Sequence, residues 1–548
     1  MLLTRKKTLS ALLVSSALFT TGLLVACGGD SESAPTQEAT PASLGLSKIG
    51  EYNGGVLGAA EITAFDAASK RLFVVNGANG TIDVLDLSKP ESPTLISTIN
   101  VSALGAAVNS VAVHEGLVAL AIEASPKTSP GTVAFYNAAD LKLLSSVTVG
   151  AQPDMITFTA DGKYALTANE GEPNSYGQTD SVDPEGSVSI ITVNKGTTPS
   201  VATADFKAWI GKESELRTQN IRIYGPNANA AQDLEPEYIT ISGNTAYVTL
   251  QENNAIATVD IANAKVTSIK PLGFKDHSVA GFGMDASDED GGTNTNSGTP
   301  KINIRTWPVK GMYLPDAIAS FSAGGKTYLI TANEGDARAD WPGFNEETRV
   351  RSYCTGGLDA SVFGTDAANY LFDSNLGRLR ISNSPNGDNT GKNAAGECNA
   401  LYAFGGRSFS IWNTDITQVF DSGDDLEQRT SALSQVNFNA SHDNNTLDSR
   451  SASKGPEPEG VVVGTFGSKT YAFIGLERVG GVMVYDVSSP AKPVFTTYLN
   501  TRSGTSGDRG AEGLTLISAK QSPNGKPLLI VGNEVSGTTA IYQINLAY

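Results

Sequence analysis

The chain has 548 residues, 57 of them glycine, and carries 57 acidic against 39 basic side chains for a formal charge of −18. So acidic a surface repels nucleic acid and suits metal cations. Helix-period stretches are scarce, which turns the expectation toward many short strands and tight turns.

The first segment reads as targeting rather than fold. Arg5, Lys6 and Lys7 form a basic start, "LSALLVSSALFTTGLL" is an apolar core, and Leu24-Val25-Ala26-Cys27 resembles a bacterial lipobox. Residues 1–26 are therefore expected to be a lipoprotein signal peptide. By that resemblance Cys27 becomes the lipidated first residue and the chain's link to a membrane. Gly28, not Asp, follows the cysteine, so the usual inner-membrane retention signal is missing. An exported lipoprotein at the outer membrane or cell surface is expected. The polar run "GGDSESAPTQEATPAS" makes residues 27–44 a flexible tether. Beyond the leader no stretch is long and apolar enough to span a bilayer.

From residue 45 onward one pattern recurs: an acid, alternating apolar residues, a turn, and a second apolar run ending in an acid. Its openings are Glu61, Asn109, Asp154, Glu237, Asp316, Glu459 and Glu512. The second runs end at Glu123, Glu170, Glu252, Glu334, Glu477 and Glu534; the first repeat departs, with Asn76 in "VVNGANG". Third runs follow as "TIDVLDL", "GTVAFYN", "GSVSIITV", "AIATVDI", "GVMVYDV" and "TAIYQINL", and the fifth repeat's is expected near "RSFSIWN". Seven such units predict an all-β, seven-bladed β-propeller over residues 45–548. Long loop insertions are expected at 171–187, 203–233, 265–313 and, in blade five, 336–456. The last repeat is a strand short, so "LGLSKIGEY" is expected to pair into it and close the ring.

In a propeller the opening residue and the acid ending the second strand lie on one face. Asp154, Glu170, Glu237, Glu252, Asp316, Glu334, Glu459, Glu477, Glu512 and Glu534 should then converge on one channel mouth as metal ligands. Two like charges about 4 Å apart at an effective dielectric of about 20 cost roughly 4 kcal/mol, so such a ring needs counter-charge. Any one acid can instead cap its own turn; for the ring as a whole a cation is expected. Carboxylate oxygens favour Ca²⁺, with Mg²⁺ the alternative. Arg222, Arg338, Arg478 and Arg509 are candidate counter-ions.

Elsewhere, "GMDASDEDGGTNTNSGT" carries Asp288-x-Asp290-Gly291, part of a calcium-loop spacing; a loose calcium loop and a solvated turn both fit. No HExxH or GxSxG occurs, and "AGGKT" has Ser320 where a P-loop needs glycine. His442 can act as an acid/base group or be a plain loop histidine, the commoner case. With Cys27 assigned to the lipid, Cys354 and Cys398 are expected to form a disulfide.

The stretches "LPDAIASF…TANEGDARAD", "GMDASDEDGG…INIRTWPVKGMYLPDA", "LYAFGGRSFSIWN", "VFDSGDDLE", "NNTLDSRSASKGPEPEGVVVG" and "FIGLERVGGVMVYDV" together resemble the choice-of-anchor I family. That family includes bacterial proteins labelled alkaline-phosphatase-like and mesenchyme-specific cell-surface glycoproteins of biomineralising animals. The resemblance implies a secreted propeller with a calcium link. Two functions fit the acids. One is a monomeric, lipid-anchored, calcium-binding scaffold that takes a cell-surface ligand. The other is a metal-dependent phosphoester hydrolase, in which metals activate water and Arg338 or Arg478 steadies the phosphate, with His442 as acid/base. Binding is the favoured reading.

Overall fold

The computed structural model describes residues 39–193, 198–292, 298–339, 341–387 and 389–548. The expected signal peptide, Cys27 and the tether up to residue 38 lie outside the described residues. Among those described, no helix is long and apolar enough to cross a membrane.

The chain is all-β in its framework. Seven antiparallel sheets have four strands each, and an eighth has five. The first sheet runs Thr63–Asp66, Arg71–Asn76, Thr81–Asp86 and Thr94–Asn100. Second strands such as Arg71–Asn76 and Leu117–Glu123 are buried on both faces, which is why they read as near-continuous apolar runs. The outer strand Thr94–Asn100 is largely exposed.

Apolar clusters fill the space between neighbouring sheets. Phe73, Val75 and Val84 of the first sheet pack with Val118, Leu120 and Ile122 of the second. The first strands of successive sheets touch in chain order, and Ala511–Ile517 of the last touches Thr63–Asp66 of the first. Hydroxyls stitch these neighbours together: Thr63 to Thr515 at 2.8 Å, Thr240 to Ser320 at 3.0 Å. A cavity of about 520 Å³ is lined by residues from the first strands of all seven four-stranded sheets.

Ser43–Asn53 pairs antiparallel with Thr538–Ala547, as the outer strand of the sheet that contains Ala511–Ile517 and Leu528–Asn533. The fifth sheet takes its third strand from Ser408–Asn413, the "SFSIWN" segment, which pairs with Lys326–Asn333. Two expected insertions begin too early: 203 falls within the strand Ser200–Asp205 and 265 opens the strand Lys265–Pro271. Each supplies the outer strand of its sheet. Inserted segments build the extra five-stranded sheet, in which Lys310–Met312 runs parallel to Tyr402–Phe404. Cys354 and Cys398 are joined as a disulfide there.

The twice-written "TANEG" has a structural reason. Asn169 accepts from Thr167 and donates to Ser187 and Ser189 at 3.1 and 2.9 Å. Asn333 accepts from Thr331 and donates to Ser408 and Ser410 at 3.2 and 2.9 Å. Each asparagine staples its second strand to the third, and the acid that follows is delivered at a fixed height.

Candidate functional site

The opening residues are aimed by irregular backbone. Register shifts at Val108/Ser110, Pro153/Met155, Pro458/Val461 and Ala511/Leu514 bracket Asn109, Asp154, Glu459 and Glu512. A bulge turns a side chain off the pleat. Glycine after the acid lets the strands close up, since a Cβ on Gly460 would lie 2.1 Å from the Glu512 carbonyl oxygen. A small cavity of about 70 Å³ results, lined by Asn109, Asp154, Tyr238, Asp316, Glu459 and Glu512 among others.

The second-strand acids press on the same place. Burial comes first and mutual repulsion second in holding Glu170, Glu237, Asp316, Glu459 and Glu512 well above the usual carboxylate range. Burial, with Glu534 and Asp154, pushes Glu61 up to about 8; burial, with Glu172 and Glu123, pushes Asp154 up to about 7. Burial takes Glu252 to about 8 against the pull of Arg338, and Glu334 to about 7 against Lys454. Glu534 is raised by burial and then by Glu477. Buried oxygens of Glu237, Glu252 and Glu459 have no hydrogen-bond partner.

Counter-charge is uneven around this cluster. On one flank Glu334, Glu457 and Glu477 bring carboxylate oxygens within 4.8 Å of one another. Lys454 reaches Glu334 at 3.4 Å and Asp336 at 2.9 Å, Arg450 and Arg478 both clamp Glu457, and Arg478 lies 3.1 Å from Glu477. Although burial opposes it, Arg450, Lys454 and Arg478 hold Glu457 down at about 2. On the other flank Glu170 is met by the Gln152 amide, and Glu172 by Gln152 and Lys127.

The expected arginines are already engaged. Arg338 is clamped by Asp233 and Glu235. Arg222 is not a counter-ion of the clustered carboxylates: it is fully buried against Glu346 and gives the cluster only a bond to the Glu252 carbonyl, at 2.6 Å. Arg509 donates to the His442 carbonyl at 3.0 Å. His442 sits 3.3 Å from Glu477 and 2.8 Å from Arg478. Asp288 leaves the calcium-loop spacing for a two-point bond with Arg378 at 2.6 and 2.7 Å. Sequence reasoning missed Lys454, Arg450, Gln152 and Tyr238. Only Tyr238 left a local signal, as the one aromatic residue directly after an opening acid.

Repeated four-stranded sheets around an acid-lined cavity define a class of all-β repeat protein. The choice-of-anchor I domain model matches residues 61–490, and the chain belongs to that family. It is 30% identical to Gigasin-3a of Magallana gigas over 196 residues, 31% of this chain and 66% of that protein. It is 27% identical to the mesenchyme-specific cell surface glycoprotein of Strongylocentrotus purpuratus over 368 residues, 58% of this chain and 44% of that protein. The chain thus spans only about half to two thirds of the curated relatives it matches. Similar solved structures include a hydrazine synthase chain of Kuenenia stuttgartiensis, with TM-score 0.43, 13% identity and coverage of 89% of this chain and 98% of that one. The β-propeller domain of Myceliophteria thermophila Cps50 (Swd1) gives TM-score 0.41 and 8% identity, covering 90% and 98%.

Proposed function

We propose that this is a cell-surface binding or scaffold protein whose seven four-stranded sheets are the blades of one closed propeller. At its mouth the carboxylates hold Ca²⁺, or Mg²⁺ in its place. One observation carries the metal reading: buried carboxylate oxygens of Glu237, Glu252 and Glu459 lack any partner in the acidic cluster. A cation would satisfy them and relieve the repulsion that lifts their neighbours. The surface assignment draws on the family and on its cell-surface glycoprotein relative, with a lipid on Cys27 as the attachment. The hydrolase alternative is less favoured because Arg338 and Arg478 are committed to carboxylates and neither is free to meet a phosphate.

The test is metal content of the purified protein by mass spectrometry, followed by melting with Ca²⁺ and with chelator. Bound Ca²⁺ and a higher melting temperature in its presence are expected. Identical melting in both conditions, with no metal retained, would sink the proposal.

A further inference from the structure

A second group of carboxylates shares no residue with the cavity cluster. Oxygens of Asp285, Asp290 and Asp448 lie within 4.8 Å of one another. They belong to inserted segments, Asp285 and Asp290 at 283–292 and Asp448 at 437–455. Asp285 and Asp448 are fully buried. Asp285 accepts the Asn303 amide at 2.6 Å and the Ser287 amide at 3.4 Å. Asp448 accepts the Lys301 amide at 3.3 Å and the Ser451 hydroxyl.

Asp290 completes the group without a partner of its own. Both of its carboxylate oxygens are sealed from solvent and neither makes a well-formed hydrogen bond; the Lys301 amide, its own amide and the Asn303 side chain face the carboxylate and favour its charged form only weakly against burial. Among the described residues no ion pair within 4.0 Å reaches any of the three; the one cation whose charge acts on Asp290 is Lys301. Arg407 touches the Asp285 carbonyl at 2.6 Å but directs its charge to Glu427 at 2.8 Å.

A neutral oxygen is linked to the same group through Ser451 and Glu427. Asn439, at 0% exposure, donates to Glu427 at 2.9 Å and to Ser451 at 2.8 Å. Glu427 in turn receives the Asp285 amide at 2.9 Å, and Ser451 holds Asp448. The Asn439 side-chain oxygen is buried and unpartnered.

We propose that Asp285, Asp290 and Asp448 form a second divalent-cation site, of Ca²⁺ type, that pins residues 283–292 and 298–305 to the 437–455 segment. An all-oxygen donor set with three carboxylates suits a hard cation rather than zinc. The calcium-loop spacing at Asp288 and Asp290 therefore contributes only its second acid, and the other two ligands come from outside that motif. Asp448 also lies two residues before Arg450, which clamps Glu457, so the bound ion would steady the strap carrying the cavity's counter-charges.

The test uses the full chain with Ca²⁺ alone as probe, comparing the parent with Asp290→Asn, Asp448→Asn and the pair Glu237→Gln with Glu252→Gln. Asp290→Asn keeps the shape of the side chain and removes its charge, and the melting temperature of the chelated variant checks that the fold is kept. Asp290→Asn and Asp448→Asn are each expected to lose one bound Ca²⁺ per chain by calorimetry. Terbium gives a local readout, since Trp307 donates to the Met284 carbonyl at 3.0 Å, directly beside Asp285. Tryptophan-sensitised terbium emission should fall in Asp290→Asn and persist in the Glu237/Glu252 variant. Unchanged Ca²⁺ count and emission in Asp290→Asn overturns the proposal, as does loss confined to Asp448→Asn or a parent protein that binds no Ca²⁺ at all.

Discussion

Glu61 occupies the space that a side chain at position 77 would need: a Cβ on Gly77 would come within 1.8 Å of Glu61 Oε1. In the other repeats an acid follows the end of the second strand; here glycine stands in its place and the opening acid fills the gap. Gly77→Ala should therefore push the flexible Glu61 carboxylate aside at a small cost, about 1 kcal/mol or less, and Glu61→Ala in the same background should remove that cost. Thermal denaturation of the two single variants and the double variant checks the coupling; strictly additive effects would count against it.

The raised carboxylates set a pH dependence with a definite sign. Folded values of about 8 for Glu61 and Glu252 and about 7 for Asp154 and Glu334 stand above ordinary values of 4.5 and 3.8. The folded protein thus holds protons that the unfolded chain releases. This contribution is complete below about pH 4 and is lost as pH rises through about 7–8. Chelated protein should melt at progressively lower temperature between pH 5 and 8, and added Ca²⁺ should flatten that slope. A flat chelated profile refutes the crowding.

The two flanks of the cluster should respond in opposite directions. Lys454→Met strips buried Glu334 of its cation and is expected to cost about 3–5 kcal/mol. Glu237→Gln with Glu252→Gln removes uncompensated charge, so the chelated variant should melt higher than the parent at pH 8. The same pair should bind Ca²⁺ at least ~10-fold more weakly, about 1.4 kcal/mol. Denaturation with and without metal separates the two effects.

Cys354 and Cys398 close a loop across a sequence separation of 44. Replacing both with serine should cost the unfolded-state constraint, about 4 kcal/mol by chain entropy. The loss should be local, because the pair lies in a separate apolar cluster with Trp307, Val350 and Leu376. Hydrogen exchange is expected to quicken over residues 350–387 and 389–400 while strands such as Arg71–Asn76 stay protected.

Much of the framework was legible because each sheet is local in sequence. Alternation and turn spacing marked the strand pairs, and even the interrupted fifth sheet could be completed from "RSFSIWN". The opening acids were visible because they recur. What pairs with them was not. Lys454 meets Glu334 and Arg338 meets Asp233 across more than a hundred residues, and no period announces such partners. Asp288 misled for a related reason: its spacing suits a calcium loop, yet Arg378, ninety residues away, takes it. The outer strands at 200–205 and 265–271 were absorbed into insertions because exposed edge strands carry little apolar signal.

The pairing of Ser43–Asn53 with Thr538–Ala547 has a kinetic consequence. The sheet it completes joins segments separated by almost all of the described residues. Folding cannot finish that sheet until Thr538–Ala547 has been made, so this pairing comes late. Once formed it ties the two segments side by side, and neither peels away without breaking the ladder between them.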